Sequence, residues 1–178
     1  MALPIVEFDP FGGRSVVARP VRPDDLVAVG AMLARLSPSS RRLRFFSPLP
    51  RLTPRVVRPM VEVDHVTHEA MVAVLGDTVI GIAEFVRPDP ESTDAEVAVV
   101  VEDAYQRHGV AAFLFKALAR SARRQGVQAF LAEVLPDNRS ALALARAMSP
   151  DAELQRIDGE IRLRIPIVRM PAPPLASV

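Results

Sequence analysis

The 178 residues contain no cysteine. That excludes disulfides, cysteine-ligated zinc and any route through a cysteine acyl-enzyme. Lysine is almost missing too: Lys116 stands alone, and arginine supplies the rest of the positive charge. Neither sign of charge dominates. The formal net charge is +1, too little for a nucleic-acid binder that relies on a broad basic surface. No apolar run is long enough to span a bilayer, and the N-terminus lacks the apolar centre of a signal peptide. A cytoplasmic protein is expected, with neither nucleic acid nor membrane as partner.

What is present is ordinary globular material, 49% hydrophobic and 24% charged, of a length that fits one domain with a sizeable core. The chain is organised around Ala95 to Gly126. A β-branched run, Val97 to Val101, is followed by a polar turn, Glu102 to His108. A helix then opens at Gly109. Its apolar residues, Val110, Phe113, Leu114, Ala117 and Leu118, recur at the spacing of one buried face. Lys116, Arg120, Arg123 and Arg124 fall mostly on the other side, toward the C-terminus where cations suit the macrodipole. Gly126 is a helix stop. Such a strand–turn–helix presents free backbone N–H groups and a positive dipole end, a natural seat for phosphate. The turn Gln106-Arg107-His108-Gly109-Val110-Ala111 places glycine and alanine where a ligand must come close. It lacks the G-K-[ST] of a Walker A loop and the three glycines of a Rossmann fingerprint.

In chain order, residues 1–13 read as a loose arm and Ser15–Arg22 as a strand. Pro23-Asp24-Asp25 starts a helix running to about Leu36. Ser37-Pro38-Ser39-Ser40 breaks it, and short helices follow at Arg41–Phe46 and Arg55–Val61. Ala70–Leu75 and Val79–Arg87 form a hairpin around Gly76-Asp77-Thr78. After the central unit come a strand, Val127–Leu135, and a helix from Pro136-Asp137-Asn138 to about Met148. A last hairpin, Glu153–Asp158 and Ile161–Val168, turns at Asp158-Gly159, and its strands are a candidate dimer edge. Residues 1–170 form one domain in this reading, and Pro171–Val178 a disordered tail. The order is α+β.

The segment Q-x-x-G-x-A, after a valine-rich strand and opening a helix, resembles the acyl-CoA pyrophosphate loop of the GNAT superfamily of N-acetyltransferases. Further segments resemble bacterial Pat-type protein lysine acetyltransferases. They are Arg22-Pro23-Asp24-Asp25, Leu36 to Arg41, Leu43 to Pro48, Val63-Asp64-His65, Ala95–Ala111 and Ala132–Asn138. The resemblance covers roughly Ser15 to Pro166. It implies a GNAT fold: a mixed, mostly antiparallel sheet of six to seven strands flanked by helices. At its centre a parallel pair, here Ala95–Val101 and Val127–Leu135, splays apart to admit the pantetheine arm. The implied activity is acetyl-CoA-dependent transfer of an acetyl or short acyl group to a primary amine, by direct attack. A protein lysine is the favoured acceptor, such as one on an acyl-CoA synthetase. A small amine or antibiotic acceptor, or a noncatalytic acyl-CoA-binding regulator, stays open. Many actinobacterial Pat enzymes also carry a cyclic-nucleotide-binding domain. These residues contain none, so cyclic-nucleotide regulation is not expected.

An amine must lose its proton before it attacks, since a free lysine titrates near about 10.4. A base is required, and a donor for the thioester oxygen. The resemblance implies Glu96 as base, sharing a face with Ala98 and Val100 and raised in pKa by partial burial. Glu84, on the neighbouring strand, is the runner-up, and Glu133 a third option. It also implies an oxyanion donor in the backbone N–H near Val99, turned outward by a β-bulge, and pantetheine contacts from the backbone of Val99 and Val101. The loop Gln106, Arg107, His108, Gly109, Val110 and Ala111 would hold the pyrophosphate. His108 is equally readable as an exposed turn residue. Asn138 either meets the pantetheine arm or caps its helix. The tyrosine that many family members place in that helix is missing, and Tyr105 reads as a packing residue. His65-Val66-Thr67-His68-Glu69 fits no zinc motif, and no metal is expected; Asp64 and His65 could border the acceptor site. The arginines at 41, 42, 44, 55 and 58 are a solvated face or a recognition surface for an acidic acceptor.

Overall fold

A computed structural model describes residues 6–47 and 52–170. Residues 1–5, residues 48–51 of the proline-rich stretch 47–54 that the sequence places between the second and third helices, and the predicted tail at 171–178 lie outside the described residues. One mixed sheet of eight strands runs through the chain in the order β1-β2-β3-β4-β5-β6-β8-β7. The strands are β1 (Val6–Phe8), β2 (Val16–Pro20), β3 (His68–Leu75), β4 (Thr78–Val86), β5 (Asp94–Val101), β6 (Ala129–Val134), β7 (Glu153–Ile157) and β8 (Glu160–Pro166). Every neighbouring pair is antiparallel except β5 with β6. The count exceeds the expected six to seven because part of the arm pairs: Val6–Phe8 runs beside β2 as an edge strand. Residues 6–11 are therefore held, not loose.

The helices are α1 (Leu26–Arg35), α2 (Pro38–Phe45), α3 (Pro54–Val61), α4 (Val110–Arg124) and α5 (Arg139–Met148). α2 begins three residues before the predicted start. Ser37, read as a breaker, is its N-cap and accepts from Ser40 N–H, and Pro38 takes the first helical position, where its missing N–H costs nothing.

Alternation along each strand sends side chains to opposite faces, and each face packs its own helices. On one, α4 and α5 bury Phe113, Leu114, Leu118 and Met148 against Phe85, Phe130, Ile161 and Ile165. On the other, α1 and α3 bury Val29, Met32, Leu33, Val57 and Met60 against Val72 and Ile82. A fully buried side chain of this size contributes about 2 kcal/mol by leaving water. Gly81 sits where these layers meet: a Cβ there would stand 3.0 Å from Val100 O and 3.1 Å from Leu114 Cδ1. The covered part of the second face ends near β5. Beyond it, on β6, β8 and β7, the same face is polar and open.

Candidate active site

β5 and β6 pair only at Asp94↔Ala129, Ala95↔Phe130 and Glu96↔Leu131, and then part. Glu102 N–H donates to Ile80 O at 2.9 Å, which sets the phase of the β4–β5 ladder. Glu96, Ala98 and Val100 therefore turn their backbone polar groups toward β4. Val97, Val99 and Val101 turn theirs toward β6, which past Glu96 has moved away. Likewise Ile167 N–H donates to Gln128 O at 2.9 Å, so Leu131 and Glu133 face β5 with their backbone. The fork is a slot walled by main-chain donors and acceptors. The β-bulge expected near Val99 is absent: the β4–β5 register runs without a shift from Gly81↔Val101 to Val86↔Glu96. Ordinary alternation already aims Val99 N–H into the slot. The Val101 carbonyl accepts from the Gln106 side-chain amide at 3.0 Å, which ties the end of β5 to the following turn.

That turn opens α4. Arg107 and Gly109 have φ of 63° and 81°, the left-handed region that favours glycine. The first intrahelical bond is Phe113 N–H to Gly109 O at 2.9 Å, so the N–H groups of Val110, Ala111 and Ala112 point out of the helix. A Cβ on Gly109 would stand 3.2 Å from Phe8 Cζ. Phe8 in turn packs on Phe113, with ring centroids 5.3 Å apart. Phe11 lies 5.0 Å from the His108 ring and 5.9 Å from Tyr105. The arm thus buttresses the turn from beneath, and Tyr105 is part of that packing. His108 is exposed and donates from Nδ1 to the Gln106 carbonyl at 2.7 Å.

A second brace comes from α2. Asp103 accepts from Ser37 N–H at 2.9 Å and from the Ser37 and Ser40 hydroxyls at 2.7 Å each. Burial pushes the Asp103 carboxyl up, but these hydrogen bonds outweigh it and hold its pKa below the ordinary value. Gln106 also donates to Ser40 Oγ at 3.2 Å. Neither brace was found from sequence, although Phe8 and Phe11 at a spacing of three were a signal that the arm packs.

The two leading carboxylates share a sheet face, since Glu84 pairs with Ala98 and Glu96 with Val86. Their surroundings differ. Glu84 is mostly buried and accepts from Arg44 and, at 3.1 Å, from His68 Nε2. Burial pushes its pKa up, but the His68 hydrogen bond and the Arg44 charge outweigh it and keep the group below the ordinary value. Glu96 is exposed rather than partly buried as expected, because it lies where α1–α3 stop covering the sheet. Among the described residues no donor bonds to its carboxylate. Glu133 is exposed and pairs with Arg162 at 3.1 Å.

The remaining candidates are spread around the slot. Asn138 borders it, and its side-chain oxygen caps α5 by accepting from Ala141 N–H at 3.1 Å. Asp64 folds its own loop by accepting from the N–H groups of Val66, Thr67 and His68 and from the Thr67 hydroxyl, which holds its pKa well below the carboxylate range. His65 Nδ1 lies 2.9 Å from the buried Glu69, away from Glu84 and Glu96 on the opposite sheet face. Among the described residues no group of three or more such side chains is placed to hold a metal ion. Of the five arginines, Arg42 pairs with Asp137, Arg44 with Glu84 and Arg58 with Glu62, Arg41 donates to the Ala34 carbonyl, and Arg55 is exposed.

The slot, the turn and the open face join in one cleft of about 1150 Å³, roofed by Ser40, Leu43, Arg44 and Phe46 of the α2 segment. The sequence profile of the Acetyltransferase (GNAT) family matches residues 39–149, which span α2 through α5. The chain belongs to this acetyltransferase family. Within the GNAT family it is similar to the acetyltransferase Pat of Mycolicibacterium smegmatis, with 39% identity over 67% of this chain and 36% of that protein. An acetyltransferase of Pseudomonas aeruginosa is 30% identical over 64% of this chain and 63% of its own length. The chain therefore spans less than two thirds of either relative. Among solved structures, the GNAT domain of S. lividans PAT superposes with a TM-score of 0.84 at 29% identity, over 91% of this chain and 96% of that one. The PaiA N-acetyltransferase of Thermoplasma acidophilum, solved with coenzyme A, shares the fold alone: TM-score 0.69, 12% identity, 85% and 98% coverage. Among the described residues no helix is long and apolar enough to cross a membrane.

Proposed function

We propose that this chain transfers the acetyl group of acetyl-CoA, or a similar short acyl group, to a primary amine, and that the amine is a lysine of a protein. One observation carries the reading. Beyond the last pair, Glu96↔Leu131, the Val97 carbonyl and the Val99 N–H have no strand partner, and this free edge lies between the free N–H groups of α4 and Glu96 at the fork of β5 and β6. A pantetheine arm needs main-chain partners along its amides, and a pyrophosphate needs the N–H groups of Gly109, Val110 and Ala111. The residues fit both requirements: the turn carries no side chain at Gly109 and only a methyl at Ala111. Acetyl-CoA would supply the activated acyl group. Glu96 takes the amine proton directly or through water, and Val99 N–H lies toward the place where the thioester oxygen gains charge; the amine nitrogen bonds the acyl carbon, the C–S bond breaks, and CoA leaves as its thiolate. Glu84, held ionised between Arg44 and His68, is the poorer base and serves to fix the wall beside Glu96.

The acceptor as a protein lysine is supported by the likeness to Pat and by an acceptor side that is open rather than a closed pocket. The test is calorimetric titration with acetyl-CoA and with dephospho-CoA, followed by mass spectrometry of lysine peptides and free amines incubated with enzyme and acetyl-CoA. Saturable binding and a mass gain of one acetyl on the peptide are expected. No binding at millimolar ligand overturns the cofactor assignment. Acetylation of small amines but of no peptide overturns the acceptor class.

A further inference from the structure

Where the helices stop, the acceptor side of the sheet changes character. Register and alternation place Asp94, Glu96, Glu133, Glu153 and Glu160 on one face with Arg162 and Arg164. Five carboxylates thus stand against two guanidiniums. Both arginines are already engaged: Arg162 with Glu133 at 3.1 Å and Arg164 with Asp94 at 3.1 Å. The surplus is negative, and it is continuous with the cleft, whose lining runs from Glu96 through Glu133 to Glu153. On the near side of Glu96 stand two exposed apolar side chains, Phe46 at 42% and Val86 at 45% exposure. Of the arginines that could have received an acidic partner, Arg42, Arg44 and Arg58 already hold Asp137, Glu84 and Glu62.

We propose that the uncovered sheet face from Glu96 across β6, β8 and β7 is the docking surface for the acceptor, and that its occupant is a cationic protein segment in which arginine or lysine flanks the acceptor lysine. This rests on the amine-transfer reading above and names the substrate class within it. Phe46 and Val86 receive the methylene stem of the acceptor lysine, and Glu96 meets its nitrogen. The flanking cations lie along Glu153 and Glu160, the carboxylates left over once Arg162 and Arg164 have taken Glu133 and Asp94. Opposite charge raises the encounter rate and fixes direction more than it raises affinity, and salt weakens it. The surface also discriminates against acidic segments, because the carboxylates of such a segment would meet carboxylates.

The experiment uses the full chain with three capped peptides of equal length. Each carries one lysine, flanked by arginine, serine or glutamate. With acetyl-CoA saturating and salt low, kcat/KM is expected to fall from the arginine to the glutamate peptide by about tenfold, the size of two or three exposed charge pairs. The gap should shrink in high salt. Charge reversal at Glu153→Lys with Glu160→Lys should narrow the gap and leave acetyl-CoA affinity unchanged. In parallel, fluorescence anisotropy measures binding of the same peptides with the lysine replaced by norleucine, which reads docking without chemistry. Equal rates and equal binding across the three peptides, or a preference for glutamate flanks, overturns the docking surface while peptide acetylation itself leaves the amine-transfer reading standing. Conversely, preferential binding of the arginine peptide with transfer to no amine supports the surface and removes the activity.

Discussion

The two ends of the cleft are built from different material. At the α4 end most of the polar groups are main chain: the N–H groups at the helix start, the free edge of β5, and a turn set by left-handed Arg107 and Gly109, with Gln106, Arg107 and Asn138 beside them. At the acceptor end they are side chains, with Glu84 locked between Arg44 and His68 and Glu96 left open. A ligand that stays the same across a family can be read by backbone, which tolerates change at most side chains. A ligand that differs from member to member must be read by side chains. The two carboxylates repeat the contrast on a smaller scale. They sit on adjacent strands of one face, yet Glu84 has two partners and Glu96, among the described residues, has none.

Glu96→Gln tests that contrast most directly and has the largest expected effect. Loss of the proposed general base should lower turnover by about 10²- to 10⁴-fold, while acetyl-CoA affinity by calorimetry stays the same. Unchanged turnover would remove Glu96 from the chemistry. Glu84→Gln should do the reverse, harming the fold more than the chemistry. It leaves the Arg44 guanidinium without its partner in a mostly buried pair, which costs about 3 kcal/mol in urea unfolding at neutral pH. Its pH dependence has a definite sign. The folded-state pKa of Glu84 is held below the unfolded value, so its contribution is fully present above about pH 4.3 and is lost as pH falls through the folded value. The difference between wild type and Glu84→Gln should therefore narrow in acid. A constant difference down to pH 3 would mean that Glu84 is not held as an ion.

At the other end, Gly109→Val adds a β-branched side chain at φ 81° against Phe8. The backbone cost alone is about 1–2 kcal/mol, and a displaced turn should weaken acetyl-CoA binding by about tenfold, the equivalent of 1.4 kcal/mol. Denaturation and calorimetry on the same sample separate the two. A stable variant with normal affinity would show that the turn does not carry the phosphate.

Most of the sheet was legible because β-branched runs and glycine turns mark it, and the Gln106–Ala111 loop was legible because backbone geometry leaves its trace in residue type. Three things were not. The arm's strand depends on pairing with β2, which the three residues Val6-Glu7-Phe8 do not announce. α2 begins at Pro38 because Ser37 finds both Ser40 and Asp103, and Asp103 is 66 residues away. The exposure of Glu96 depends on where α1–α3 end over the sheet, which no spacing in β5 records. Local rules reach what is local; the acceptor end is assembled from β4, β5, β6, β8 and α2.

Asn138 stands between the two materials and has the smallest expected effect. Its oxygen caps α5, so Asn138→Ala should cost about 1 kcal/mol of stability. The cap occupies only the oxygen, and the amide nitrogen is left to the cleft that Asn138 borders. Asn138→Ser keeps a competent cap and loses that nitrogen. It should match wild type in urea unfolding and bind acetyl-CoA about threefold more weakly, the size of one neutral hydrogen bond. If serine restores affinity together with stability, Asn138 is a cap and nothing more, and the pantetheine arm is held by the backbone of β5 without help from α5.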